Sequence, residues 1–308
     1  MKRITVYVIT YNQEDTIARA LDSVLCQKEW GLYKIIVSDD CSRDRTWDIL
    51  KEYQTKYSDI IELHRNSQNL GIYKNMEVVE SLLPESDLYS GLAGDDEYCD
   101  GYFEGIQALL FKEKIDTTKA IGVFSDWKAV FPDGKEVVYK QDLVQTGFPL
   151  FSLKMRGKIS GRSLMKSRIV QGAYGAMLKG KGLNLTESYH DSQPHLKIKE
   201  IYYLPEVTTV SYRGIGVSSR LSLDKSDYYT TQSIEKWQFA LEHFIHDDRD
   251  MHYAKYEITK AEFYQYPKWS LLFRMFYHYV KGILPGCRNS LKDTARMFLG
   301  FIKYKCQK

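Results

Sequence analysis

The stretch "RITVYVITYNQED" (Arg3–Asp15) decides how the rest of the chain is read. Its first half is largely β-branched or aromatic and its second half is polar, the pattern of a buried strand running into a loop. Ile17, Leu21, Val24 and Leu25 follow at helical spacing, so a helix comes next. The same strand–loop–helix unit then recurs. "YKIIVS" leads into "DDCSRDRT" and a helix through Trp47, Leu50 and Tyr53–Tyr57. "DIIELH" leads into "RNSQNLG" and the helix "IYKNMEVVESLL". "DLYSGLA" ends at "GDDEYCD" before a helix over Tyr102–Phe111, and "AIGVFSD" is a fifth strand. Strands alternating with helices predict an α/β fold with a mostly parallel central sheet flanked by helices. Ligands of such sheets bind beyond the carboxyl ends of the strands. Here those ends carry "TYNQED", "SDDCSRD", "RNSQN" and "GDDEYCD", so the polar chemistry gathers along one edge.

After Asp126 the pattern loosens. "WKAVFPDGKEVVYK" reads as a hairpin around Pro132-Asp133-Gly134. Residues 156–184 read as loops with short helices, "IYYLPEVTTVSY" (Ile201–Tyr212) as a pair of late strands, and the chain from Thr230 onward as helical. With 44% apolar and 27% charged residues, the composition is that of a soluble globular protein. The five cysteines are scattered and form no CxxC pair, which argues against a zinc site or a disulfide framework and for a reducing compartment. No signal peptide or spanning helix is expected, because the basic start leads into no apolar segment with a cleavage site and no run of about 18 apolar residues occurs. The net charge of +3 hides an asymmetry: Lys268–Lys308 holds nine Lys or Arg and one acid, a net +8, so the remainder carries −5.

Two acidic pairs stand out at strand ends. Asp95-Asp96 suits a hard divalent cation that already carries phosphate oxygens, which needs only one or two protein carboxylates. A turn or a helix N-cap before "EYCDGYFEGI" accounts for the same residues. Asp39-Asp40 sits where α/β folds recognise a base or ribose, while Asp44 and Thr46 are suited to starting the next helix.

The ordered set "VITYNQED", "VSDDCSRDRT", "NLGIYKN" and "GLAGDDEY" resembles the family 2 glycosyltransferases, inverting enzymes of the GT-A fold. The resemblance is good over Ile4–Asp126 and thin to about Ser219. It implies a glycosyltransferase domain over 1–219, with a nucleotide-binding part (1–126) and an acceptor part (127–219); beyond it, spacing and charge predict a helical region over 220–308 ending in a basic amphipathic tail (268–308). It implies that Thr10, Tyr11 and Glu14 line the nucleotide pocket, with Tyr11 against the base and Asp40 accepting from it. Lys74 and Asn75 fall where the family places a basic or amide residue near the nucleotide. Asp95 faces the ribose or the metal shell, and Asp96 is the ligand of a Mn²⁺ or Mg²⁺ ion on the diphosphate. Asn12 caps its loop.

An inverting transfer needs a carboxylate base. The family's acidic pair maps onto "LTESYHDSQPHLKI" (Leu185–Ile198) in one of two registers, at Glu187-Ser188 or at His190-Asp191. The second places Leu196 and Ile198 at apolar positions and makes Asp191 the base; an N-cap role for Asp191 is the alternative. Arg213, in "SYRGIGVSS", is placed to pair with phosphate. The implied reaction moves a sugar from a nucleotide diphosphate sugar to a glycan or lipid-linked glycan, in cell-surface polysaccharide synthesis at the cytoplasmic membrane face. Competing readings are a nucleotidyltransferase, whose early Gly-rich basic signature is missing, and a non-catalytic transferase-like binding subunit. The tail places Leu272, Met275, Phe276, Tyr279, Val280 and Ile283 at helical spacing among cations. It suits an anionic membrane surface, or packing on the body or on a partner subunit. No nucleic-acid motif accompanies its charge.

Overall fold

A computed structural model describes residues 1–141, 143, 160, 164–171, 198–214, 234, 237–238, 240–242, 245–266 and 268–282. The chain divides into two compact units, Met1–Arg220 and Leu221–Lys308.

The first unit is built on strands β1 (Ile4–Thr10), β2 (Leu32–Asp39), β3 (Ile61–Arg65) and β4 (Leu88–Ala93). They lie in the order β3-β2-β1-β4, all parallel, as strands joined by helical crossovers do. Helices α1 (Ile17–Leu25), α2 (Thr46–Lys56), α3 (Ile72–Ser81) and α4 (Tyr102–Lys112) alternate with them. In α1, Ile17, Ala20, Leu21, Val24 and Leu25 are buried. They pack with Val6, Val8, Ile35 and Val37 of the sheet in the main core. A Leu21→Ala change would cost about 2–5 kcal/mol by leaving a cavity there.

Three features differ from the sequence expectation. First, β4 does not run straight to a helix: a short strand β5 (Glu97–Tyr98) intervenes, and the N-cap of α4 is Gly101. Asp95-Asp96 therefore occupies a strand-to-strand turn and does not cap α4. Second, Ile201–Tyr212 is not two strands. It belongs to one strand, β9 (Glu200–Tyr212), parallel to β6 (Ile121–Val130). The register slips where Ser125 pairs with Leu204 and Asp126 with Val207, leaving Pro205 and Glu206 outside the ladder. Proline cannot donate to a ladder and is accommodated at such a bulge. Third, Leu164–Ser167, within a segment read as loop, is a fully buried strand, β8, antiparallel between β4 and β6. The hairpin is present: β6 continues past Asp126 to pair with β7 (Glu136–Tyr139) around Pro132-Asp133-Gly134.

The second unit contains α5 (Asp248–Gln265) and α6 (Trp269–Gly282). Tyr256 and Phe263 of α5 pack against Leu271, Leu272, Met275 and Tyr279 of α6. Among the described residues no helix is long and apolar enough to cross a membrane.

Candidate active site

The parallel ladder continues past the strand ends. Asp40 N–H donates to Thr10 O at 2.9 Å, Gly94 N–H to Ile9 O at 3.0 Å and Asn66 N–H to Asp39 O at 2.9 Å. The loops after β1, β2, β3 and β4 are thereby drawn onto one edge.

Side chains then stitch the loops together. Asn12 N–H donates to Ser42 Oγ at 2.9 Å, and Arg43 N–H donates back to Asn12 Oδ1 at 2.8 Å. Gln13 N–H donates to Thr46 Oγ1 at 2.8 Å, and Glu14 N–H to Asp44 Oδ2 at 3.1 Å. Both loops turn through a left-handed non-glycine residue, Asn12 at φ 50° and Cys41 at φ 62°. That strain, about 1–2 kcal/mol per residue, is held by these cross-loop bonds. Asp44 also accepts from Thr46 N–H and Oγ–H. Its burial raises the carboxyl pKa, but the bonds from Thr46 and Glu14 outweigh that and leave it lowered. Asp39 is fully buried, accepts from Ser42 and pairs with Arg65 Nε at 3.1 Å, yet desolvation still pushes its carboxyl up.

Asp40 is a hub. Its Oδ1 accepts from Leu70 N–H at 2.8 Å and Asn66 Nδ2 at 2.9 Å, and its Oδ2 from Gly71 N–H at 2.8 Å. A carboxylate offers about four acceptor sites, so one site on Oδ2 lies outside these three bonds. Asn66 also donates to Asn75 Oδ1 at 2.9 Å, and Asn75 Nδ2 donates to Ser38 O at 3.1 Å. Asn75 thus ties α3 to β2, while its neighbour Lys74 is exposed.

The acidic turn is anchored from several sides. Thr16 Oγ1 donates to Gly94 O at 2.9 Å, and Arg19 Nη2 donates to Asp95 O at 2.9 Å. Arg19 Nε lies 3.4 Å from Glu97, and the guanidinium sits 3.8 Å over the Tyr212 ring. Tyr212 N–H donates to Asp96 Oδ1 at 3.3 Å, and its hydroxyl donates to Glu97 at 2.7 Å. Desolvation and the Glu97 bond push the Tyr212 hydroxyl up to about 12. A Cβ at Gly94 would run into Gln13 Oε1 and meet Thr10 Oγ1 at 3.0 Å, so a side chain there would have to displace the Gln13 amide from its bond with Thr10. Asp96 is buried and Asp95 half-buried.

Among the residues expected at the site, Thr10, Tyr11, Glu14, Asp40, Asp95 and Asp96 therefore share one edge. Thr10 is buried and donates to Gln13 Oε1, Tyr11 is half-buried, and the Glu14 carboxylate accepts from Arg45 N–H. Arg213 donates its N–H to Val130 O, and its guanidinium lies 5.4 Å from the Trp127 ring centroid. Asp191 lies outside the described residues. Thr16, Arg19, Asn66 and Tyr212 join them without a sequence motif that marks them.

Residues 5–79 match the family model described as Glycosyl transferase family 2. Over these residues the chain is similar to the family 2 glycosyltransferases. One relative, the poly(ribitol-phosphate) beta-glucosyltransferase of Bacillus spizizenii, is 38% identical over 78 residues, covering 24% of this chain and 12% of that protein. The chain spans between 12% and 37% of the length of the curated relatives it matches. The solved structure of S. aureus TarS 1–349 in complex with UDP-GlcNAc superposes with a TM-score of 0.61 at 14% identity, covering 90% of this chain and 79% of that one. The mannosyltransferase PcManGT of Pyrobaculum calidifontis, in complex with GDP-Man and Mn²⁺, gives 0.53 at 14% identity, covering 97% and 79%. The chain thus has the GT-A fold.

Proposed function

We propose that this chain is a metal-dependent inverting glycosyltransferase, moving a sugar from a nucleoside diphosphate donor to a glycan hydroxyl in cell-surface polysaccharide synthesis. One observation carries the reading: the acidic turn Asp95-Asp96 is pinned, by Thr16, Arg19 and Tyr212, to the same sheet edge as Tyr11 and Asp40. Two proteins of this fold hold nucleotide sugars, one of them with Mn²⁺, and a family relative is named for glucosyl transfer to a poly(ribitol phosphate).

The residues present fit a hard cation. Among the described residues no three His, Cys, Asp or Glu gather into a protein cage. An oxygen donor set of one or two carboxylates is what Mg²⁺ or Mn²⁺ takes when diphosphate and water complete its shell. Asp96 would hold the ion, with Asp95 toward its shell or the ribose. When bound, the ion supplies neutralisation of charge on the departing diphosphate.

The protein's own groups do the rest. Tyr11 stacks on the base, and the remaining acceptor site of Asp40 Oδ2 takes a base N–H. Lys74 and Arg213 attract phosphate. Asp191 takes the acceptor hydroxyl's proton as the hydroxyl oxygen bonds to the anomeric carbon and the bond to diphosphate breaks on the opposite face, which inverts that carbon. The test is to incubate the purified full chain with a panel of nucleotide sugars, with and without Mn²⁺. Binding and transfer are expected with Mn²⁺, and Asp191→Asn should bind donor without turning over. Absence of any nucleotide-sugar binding would sink the reading.

A further inference from the structure

The second unit carries a surface that sugar transfer leaves unused. Helix α6 has two stripes. Leu271, Leu272, Met275 and Tyr279 are buried in a cluster with α5. Trp269, Phe273, Phe276 and Tyr277, spaced i, i+4, i+7 and i+8, are exposed, Phe273 to 71%. Tyr266, just before the helix, is also exposed. Lys268, Arg274 and Lys281 are exposed among these rings, and no Asp or Glu occurs between residues 268 and 282.

A helix face turned to water ordinarily carries charged and polar groups. Large aromatic rings interleaved with cations suit a different boundary, even with Glu262 of α5 lying 4.0 Å from Arg274. Rings settle at the headgroup level of a bilayer, and Lys and Arg reach anionic headgroups while their stems lie along apolar surface. A second copy of this chain is a poor occupant. A two-fold contact sets a face against itself, which would put one copy's Lys268, Arg274 and Lys281 on the same interface as the other's.

The hairpin is also polarised. Asp247 and Asp248, both exposed, stand at the start of α5. His252 of α5 meets His278 of α6 at 2.9 Å, so those acids lie toward the far end of α6. Tyr266, Lys268, Trp269 and Phe273 sit at the opposite, turn end. We infer that α6 docks on an anionic lipid bilayer, with its turn end entering the headgroup layer first.

The experiment uses the full chain and vesicles of phosphatidylcholine with roughly one-third phosphatidylglycerol, against phosphatidylcholine alone. Sedimentation with the anionic vesicles is expected, weakening as salt rises. Phe273→Ser combined with Trp269→Ser should lower partitioning by about tenfold or more without changing the melting temperature. Lys268→Gln with Lys281→Gln should weaken binding to anionic vesicles only. Trp269→Phe should keep binding and lose quenching by brominated lipid. Equal sedimentation of the Ser variant, no vesicle binding, or a self-association that the Ser variant abolishes would each overturn the proposal. Vesicle binding needs no nucleotide, so its outcome is independent of the transferase reading.

Discussion

Around the sheet edge of the first unit, polar side chains hold other loops. Asn12, Gln13 and Glu14 are tied to Ser42, Asp44, Arg45 and Thr46, and Asp40 gathers three donors from residues 66–71. In the α5–α6 hairpin, packing is aromatic and aliphatic, through Tyr256, Phe263, Leu272, Met275 and Tyr279. The contrast separates two kinds of order. A hydrogen-bonded edge fixes atoms to within a fraction of an ångström, but each donor left unpaired on burial costs about 1–3 kcal/mol. A hydrophobic hairpin tolerates polar change on its outer face, because only burial holds it. Edge substitutions that leave a buried donor unpaired should therefore affect reaction and stability together, and substitutions outside the hairpin core should affect neither.

The largest effect should come from Asp96→Asn. It keeps an acceptor for Tyr212 N–H but removes the charge proposed to face the metal. We expect kcat to fall by about 10²–10³-fold with little change in melting temperature, read by nucleotide release against Mn²⁺ concentration. An unchanged kcat would place the metal elsewhere.

Asp40→Ala should come next, and should move stability as well. It strands Leu70 N–H, Gly71 N–H and one Asn66 donor, so a loss of at least about 2 kcal/mol in urea unfolding is expected, with a raised donor KM. Lys74→Ala, at an exposed position close in sequence, should stay within about 0.5 kcal/mol. If both variants unfold alike, the hub is not what holds the loop.

Arg19 sharpens the comparison further, because it touches the acidic turn only through Asp95 O, Glu97 and the Tyr212 ring. It is a positioning residue. Arg19→Ala should lower metal-dependent donor affinity by about 10–100-fold, whereas Tyr212→Phe, which keeps the ring under the guanidinium, should recover most of the affinity. Donor titrations with and without Mn²⁺ separate this from a general loss of fold, since only the metal-dependent component should move.

Much of the edge was legible because strand periodicity and polar strand ends are local signals. β1 to β4, their helices and the acidic turn follow from them. β8 was not legible: Lys166 and Ser167 are buried in it, so its four residues show no alternation. β9 looked like two strands because Pro205 interrupts it, and only the pairing with β6 shows a bulge. Asp95-Asp96 could be placed by its position, but Arg19 and Tyr212 could not. Their bonds to the turn span 76 and 116 residues, and nothing in a short window reports a contact of that length. The tail's apolar period was visible, but one periodic face does not say which rings turn inward. The structure buries Met275 and Tyr279 and exposes Phe276.

The smallest effect tests the hairpin by pH. His252 and His278 face each other through Nδ1 at 2.9 Å, so one ring must accept while the other donates. Burial, together with the nearby charges of His252, Lys255 and Arg274, lowers His278 from 6.5 to about 4. Asp248, 3.7 Å from His252 Nε2, is the acid on the other side of the pair. A histidine whose folded pKa is depressed favours the folded state above its unfolded pKa and loses that advantage as acid is added, because the unfolded chain takes the proton first. The second unit should therefore lose stability between about pH 6.5 and pH 4, and His278→Gln should flatten that slope. Hydrogen exchange of α5 and α6 across this range is the measurement. The sheet edge, whose loops are tied by carboxylates and hydroxyls and not by this pair, should hold its protection over the same interval. An equal slope in the variant would show that another group drives the acid response.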